Sequence, residues 1–321
     1  MYHRRVKDDP RRAGRYYFGT NRTAGGVMLF GDREKEMFRQ LLFDGEERHA
    51  FTVVDYCVLG NHWHAVIFIP QSDEMPRREV LRRWRKHVGN PDAPDPGDDV
   101  LEAYRRQIHD LSLIFGNIQQ RFAEWVNTLH NRHGHLFGGR FDSVIVEPDR
   151  LPLVMAYIAL NPVRAGIVSD PADYMYSSYA ERAARGSLRP EDQNLIHPMT
   201  WMLGLAGDLE DLPVEKRVEL LWEKFRWFML GQDPRLRRDA KTVRELIEQD
   251  GGHAKLDWCD KLMLRVRFAT KGIAIGSEEF VAEILDGCGK AMGYKREHRP
   301  RATGIWDDVF CLKNHRRMVE V

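Results

Sequence analysis

The sequence lacks most features that assign a chain quickly. It has no excess of charge: 49 Lys and Arg stand against 48 Asp and Glu, a formal net charge of +1. Total charge therefore does not mark a nucleic-acid-binding protein, and only local basic patches can carry that argument. Cysteine is sparse. Cys57, Cys259, Cys288 and Cys311 form no C-x-x-C pair, so neither a disulfide framework nor a cysteine set selecting zinc is visible. A reduced, cytoplasmic protein is the expectation. No run of about 18 apolar residues occurs, so no membrane-spanning helix is expected. Met1 to Tyr17 is dense in Arg and has no apolar stretch, so no secretory signal is expected. A Gly-rich loop ending in Lys is also missing, which speaks against a nucleotide cofactor.

What is present is a chain of 321 residues with 43% apolar content, enough for a packed core. Arg15 to Arg22 reads as a strand. Asp32 to Glu47 reads as a helix, with Met37, Phe38, Leu41 and Leu42 at helical spacing. Ala50 to Leu59 and His62 to Ile69 read as two strands joined by the turn signal Gly60-Asn61. Residues 71 to 100 read as an insertion: a basic helix with Arg77, Arg78, Arg82, Arg83, Arg85 and Lys86, then a Pro- and Asp-rich loop. The pattern then predicts a long helix over Leu101 to His130, open to interruption, a strand over Leu136 to Val146, and a helix from Pro152 to about Asn161. The order β-α-β-β-α-β points to an α+β chain with a ferredoxin-like antiparallel sheet. The first domain is placed at 1–180, and 181–321 reads as a mainly helical extension with a recognition or regulatory role.

Two constellations carry chemistry. In Asn61-His62-Trp63-His64, strand geometry sends His62 and His64 to one face and Trp63 to the other. Two imidazoles on one face can hold a divalent cation, or can be two polar residues on a solvated face. In Tyr157-Ile158-Ala159-Leu160-Asn161-Pro162, Tyr157 and Asn161 share a helical face. Tyrosine can attack a phosphate and an Asn oxygen can ligate a metal. Equally, the segment can be a half-buried tyrosine and a helix ending before Pro162.

Four stretches in order change that balance: LGNHWHAVI at 59–67, HGHLFGGRFDSVIVE at 133–147, YIALNPVRAGIV at 157–168 and DYMYSSY at 173–179. Together they resemble the REP-associated tyrosine transposases, within the single-tyrosine HUH transposases, over about residues 10–180. A weaker resemblance to longer members continues at GIAIGSEEFVAEI, 272–284. The resemblance implies a transposase-like nuclease that cuts and rejoins single-stranded or hairpin DNA through a covalent phosphotyrosine, leaving a free 3′-hydroxyl. Tyr157 would be the nucleophile, and His62, His64 and Asn161 the ligands of Mg²⁺ or Mn²⁺. Trp63 departs from the family's smaller hydrophobe and is expected to pack in the core. DNA is the implied partner of a monomer or dimer, with no membrane and no nucleotide cofactor.

DNA contacts are expected from Arg11, Arg12 and Arg15 of the N-terminal arm and from Arg78, Arg82, Trp84 and Arg85 of the basic helix. Arg140 and Arg164 stand beside the active-site blocks. Either could hold the scissile strand, and Arg164 could instead cap its helix. Tyr174, Tyr176 and Tyr179 are read as packing residues, with Tyr176 the rival nucleophile, and His133 and His135 as loop polarity. A DNA-hairpin-binding protein without cleavage is the runner-up function. A replication initiator or relaxase would carry its tyrosine elsewhere, and a metal-dependent RNase is a more distant alternative.

Overall fold

The computed structural model describes residues 14–188, 212–230, 245, 258–263, 272–292, 299–303, 305–306 and 308–313. Arg11 and Arg12 lie outside the described residues. The chain is α+β. Strand β1 (Arg15–Arg22) is followed by α1 (Asp32–Arg48) and by the hairpin β2 (Thr52–Val58) and β3 (His62–Ile69). Helices α2 (Arg77–His87), α3 (Asp98–Ile108) and α4 (Leu111–Leu129) lead to β4 (Asp142–Val146). Then come α5 (Leu151–Ala159), α6 (Asn161–Arg164) and α7 (Ser178–Arg185). The remaining described elements are α8 (Val214–Leu230), α9 (Trp258–Met263), β5 (Gly272–Gly276), α10 (Glu278–Met292), β6 (Arg301–Ala302) and β7 (Phe310–Lys313).

The strands form one sheet in the order β2-β3-β1-β4-β5-β7-β6. β1 pairs antiparallel with both β3 and β4, and β2 pairs antiparallel with β3. One face carries α1 and α4. Trp63 is fully buried there, its ring 5.2 Å from both Phe38 of α1 and Phe115 of α4. The approach is close enough that a Cβ on Gly19 would lie 2.6 Å from the Phe115 ring, so β1 needs glycine under α4. The other face carries α5, whose nine residues are all buried. A helix that is apolar on every side must be covered on every side, and α9 packs against α5 as well.

One expectation is sharpened and two need correction. The long helix over 101–130 is two helices, because the Asp110 carboxylate accepts from Ser112 N at 2.7 Å and Leu113 N at 3.1 Å and starts α4 anew. The strand over 136–146 is confined to Asp142–Val146. Leu136 to Phe141 form a loop instead, tied to β1 through a bridge between Phe137 and Thr23. The extension is not simply helical. It contributes β5, β6 and β7, and β5 pairs parallel with β4, so the sheet crosses the boundary expected near residue 180.

Candidate functional site

The site is built at the end of the sheet where β3 begins. The Asn61 amide donates through Nδ2 to the Gly26 carbonyl at 2.7 Å, which turns its Oδ1 toward His62 Nδ1 at 2.6 Å. An amide oxygen can only accept, so His62 Nδ1 carries a proton in this contact. The sequence pattern alone assigns Asn61 only the turn. The His62 and His64 rings lie 5.0 Å apart at 90°. His64 is nearly fully buried and stacks on Phe18 at 5.5 Å. Burial first, then the charges of His62, Arg164 and Arg22, hold its pKa well below the ordinary histidine value. It is a neutral imidazole, and its buried Nδ1 has no hydrogen-bond partner.

Tyr157 comes to this pair from α5. Its ring meets His64 edge-on at 5.9 Å and Phe18 at 6.2 Å. The Arg164 guanidinium lies 4.2 Å from the Tyr157 ring centroid, within cation–π range. The Tyr157 carbonyl is among those left unpaired where α5 ends. It accepts from Asn161 Nδ2 at 3.1 Å and from Arg164 Nη2. Arg164 also donates through Nη1 to the Leu262 carbonyl of α9 at 2.8 Å. The sequence pattern ends the helix at Asn161. Instead α5 stops at Ala159, and Asn161 opens α6 with Pro162 in its first turn, where a missing N–H costs nothing.

The structure thus brings His62, His64, Tyr157 and Arg164 together and holds Asn161 one turn from Tyr157. Of the two roles offered for Arg164, it takes the cap: it is buried, Nη2 donates to the Tyr157 carbonyl in the last turn of α5, and Nη1 is held by the Leu262 carbonyl. Among the described residues no group of three or more His, Cys, Asp or Glu side chains could hold a metal. The His pair could hold one only with an amide oxygen, water or substrate completing the set.

The remaining sequence-predicted residues lie elsewhere. Arg15 and Ile69 pair at one end of the sheet and Arg22 and His62 at the other, about 23 Å away at the usual strand rise of about 3.3 Å per residue. Arg15 binds Glu283 of α10 at 2.9 Å and faces the Phe280 ring. The basic helix α2 follows Ile69, at the far end from the histidines. Arg82 is paired with Glu79 and Arg85 donates to the Ala93 carbonyl, while Arg78 is exposed. Trp84 is half-buried against a small second core of Val80, Leu101, Tyr104 and Ile108. Arg140 is exposed in the loop beside β1. Tyr174, Tyr176 and Tyr179 are buried, and the Tyr176 ring lies under Lys35 Nζ at 4.7 Å. His133 and His135 are exposed. The sequence pattern does not single out Arg22. The equal lengths of β1 and β3, paired end to end, are the signal that could have placed it opposite His62.

No family model matches the chain, and no curated protein matches it. A solved structure of a REP-associated tyrosine transposase bound to a REP hairpin is similar at 19% identity and a TM-score of 0.40, over 67% of this chain and 97% of that one. Among the described residues no helix is long and apolar enough to cross a membrane.

Proposed function

We propose that this chain is a metal-dependent single-stranded DNA endonuclease and strand transferase that acts through a phosphotyrosine at Tyr157, on hairpin-forming repeat DNA. The observation that carries the reading is the convergence of Tyr157 on His64, with His62 beside it on the same sheet face. The four sequence stretches that resemble the REP-associated tyrosine transposases supply the reaction class. The strand order β4-β1-β3-β2, antiparallel throughout, is compatible with a ferredoxin-like domain.

The residues fit a divalent cation. His64 is held neutral by burial and its buried Nδ1 has no hydrogen-bond partner; His62 has its Nδ1 on the Asn61 oxygen, so Nε2 is the atom it would offer; Asn161 has its Nδ2 on the Tyr157 carbonyl, so Oδ1 is the atom it can offer. Unpaired buried nitrogens cost stability, which a ligand-binding role explains. Mg²⁺ or Mn²⁺ bound there would neutralise charge on a phosphodiester oxygen. Tyr157 Oη would attack phosphorus, forming a P–O bond as the bond to the 3′-oxygen breaks. The phenol proton is released and the leaving oxygen gains one. The covalent link retains the bond energy, so rejoining is the reverse step and no nucleotide is consumed.

A second reading, a hairpin-binding protein without cleavage, draws on the burial of Tyr157, only 9% exposed. Incubation of the full chain with labelled hairpin DNA and Mn²⁺ separates the two. His62→Ala and His64→Ala should each lower cleavage by about two orders of magnitude or more, and EDTA should act alike on the unaltered chain. Full cleavage in EDTA would end the metal assignment.

A further inference from the structure

We propose that Arg22 is the phosphate-binding residue of this site, its guanidinium holding the phosphodiester of a single strand beside the His62–His64 pair. The inference rests on the strand-transferase reading above. It starts from register. Arg22 is the β1 partner of His62, and Thr20 that of His64. Residues directly opposite in an antiparallel pair project to the same face, with Cβ atoms about 4.5–5.5 Å apart. Arg22 therefore emerges on the histidine face, at the mouth where β3 begins.

Its surroundings leave the charge available. Arg22 is exposed. Among the described residues its side chain makes no hydrogen bond or ion pair, whereas Arg39, Arg77, Arg82, Arg121 and Arg182 are each paired with a carboxylate. The acid on the neighbouring strand, Asp142, stands in register with Thr20 rather than with Arg22. The other cation at the site, Arg164, is buried with both terminal nitrogens on carbonyls, so it cannot reach a phosphate without breaking those bonds.

The backbone under Arg22 is held from three sides. Its N–H donates to Asn21 Oδ1 at 2.8 Å, its carbonyl accepts from Gly138 N at 3.0 Å, and Thr23 N donates to the Asn61 carbonyl at 2.9 Å. A long cationic side chain on a fixed base, beside the His62–His64 pair, suits a diester that carries one negative charge. The guanidinium fork can take two phosphate oxygens at once. Asn21 Nδ2 also donates to the Gly139 carbonyl at 3.0 Å, which brings the loop bearing the exposed Arg140 to the same strand end and gives the path a second cation.

The test uses the full chain, a hairpin with a single-stranded flank, and Mn²⁺. Adduct formation is timed at saturating DNA, and affinity is measured against salt in a Tyr157→Phe background, where cleavage does not intervene. Arg22→Gln should slow adduct formation by about 100-fold, the scale for losing one donor to a developing anion. It should also reduce the slope of log K against log salt by about 0.7, one phosphate contact on a single strand. Arg22→Lys should restore the slope and only part of the rate. The thermal midpoint should not move, because the side chain is exposed and unpaired. A wild-type rate and slope in Arg22→Gln would overturn the proposal. If the unaltered chain forms no adduct, the strand-transferase reading falls by itself. The salt slope then decides Arg22 alone: a reduced slope supports it and an unchanged slope overturns it.

Discussion

At the residue scale, His49 lies apart from the pair at the site and ties stability to pH through its burial. His49 closes α1, and burial together with the charges of Arg48, His87 and Arg83 lowers its pKa to about 4, against a weaker opposing effect of Asp110. A base whose pKa is depressed on folding stabilises the fold fully above its unfolded value, about 6.5, and loses that contribution as pH falls toward the folded value. Urea unfolding should therefore show stability falling between about pH 6.5 and pH 4, with His49 contributing at most about 1.4 kcal/mol per pH to the slope. His49→Gln should flatten that limb. An unchanged slope would show that His49 is not the group responsible. Which side chains share a face was legible in the sequence, since His62 and His64 follow from the two-residue period of a strand. That Tyr157 meets His64 was implied only by the family resemblance, and that Arg22 stands beside His62 was not legible at all. The first depends on how α5 crosses the sheet, the second on β1–β3 register, and neither is a local property.

At the element scale, the structure changes what the basic helix is expected to do. Six cations within residues 77–86 suggest a DNA surface, but the surrounding acids and carbonyls take up most of them. Arg77 pairs with Asp95 and Asp98, Arg82 and Arg83 with Glu79, and Lys86 with Glu47. Arg83 also donates to the Glu46 and His49 carbonyls at 2.7 Å each, joining α2 to the end of α1. The sequence shows the charges but not their partners, which come from other elements. Replacing Arg82 and Arg85 with Gln should leave the salt slope of DNA binding nearly unchanged, and adding Arg78→Gln should lower it by no more than about 0.7. A drop near 2 across the triple variant would return α2 to the DNA surface. The first-half elements were legible because each carries its own period: β1 and β3 have the expected ends. The interruption allowed in the long helix falls at Asp110, a capping residue inside a continuous apolar stripe.

At the scale of the whole molecule, the extension is part of the sheet rather than an appendage. Glu147 N donates to the Ile275 carbonyl at 3.0 Å, and the Glu147 carboxylate accepts from Ser277 N at 2.6 Å and Ser277 Oγ at 2.8 Å. Arg150 pairs with Asp308 at 2.9 Å. Tyr179 of α7 packs on Trp222 of α8 at 5.0 Å, and α7 is bound to β2 by the buried Arg182–Asp55 pair at 2.9 Å. These strands are hard to read from sequence because β5 spans five residues, β7 four and β6 two. Segments so short carry little periodicity, and their pairing depends on the β4 edge supplied from far away in the chain. A chain ended near residue 185 should lose its cooperative thermal transition, because the outer side of α5, the β4 edge and the Tyr179 ring would all face water. A truncated form that unfolds cooperatively at the full-length midpoint would show that the extension is dispensable for folding.

The central claim, that Tyr157 is the nucleophile, is tested most directly by mapping the covalent adduct. The full chain is incubated with hairpin DNA and Mn²⁺, digested, and read by mass spectrometry for the peptide that carries a nucleotide. The account predicts a phosphodiester on Tyr157, lost in Tyr157→Phe while hairpin binding stays nearly intact. An adduct on Tyr176, or one of unchanged yield in Tyr157→Phe, would contradict it.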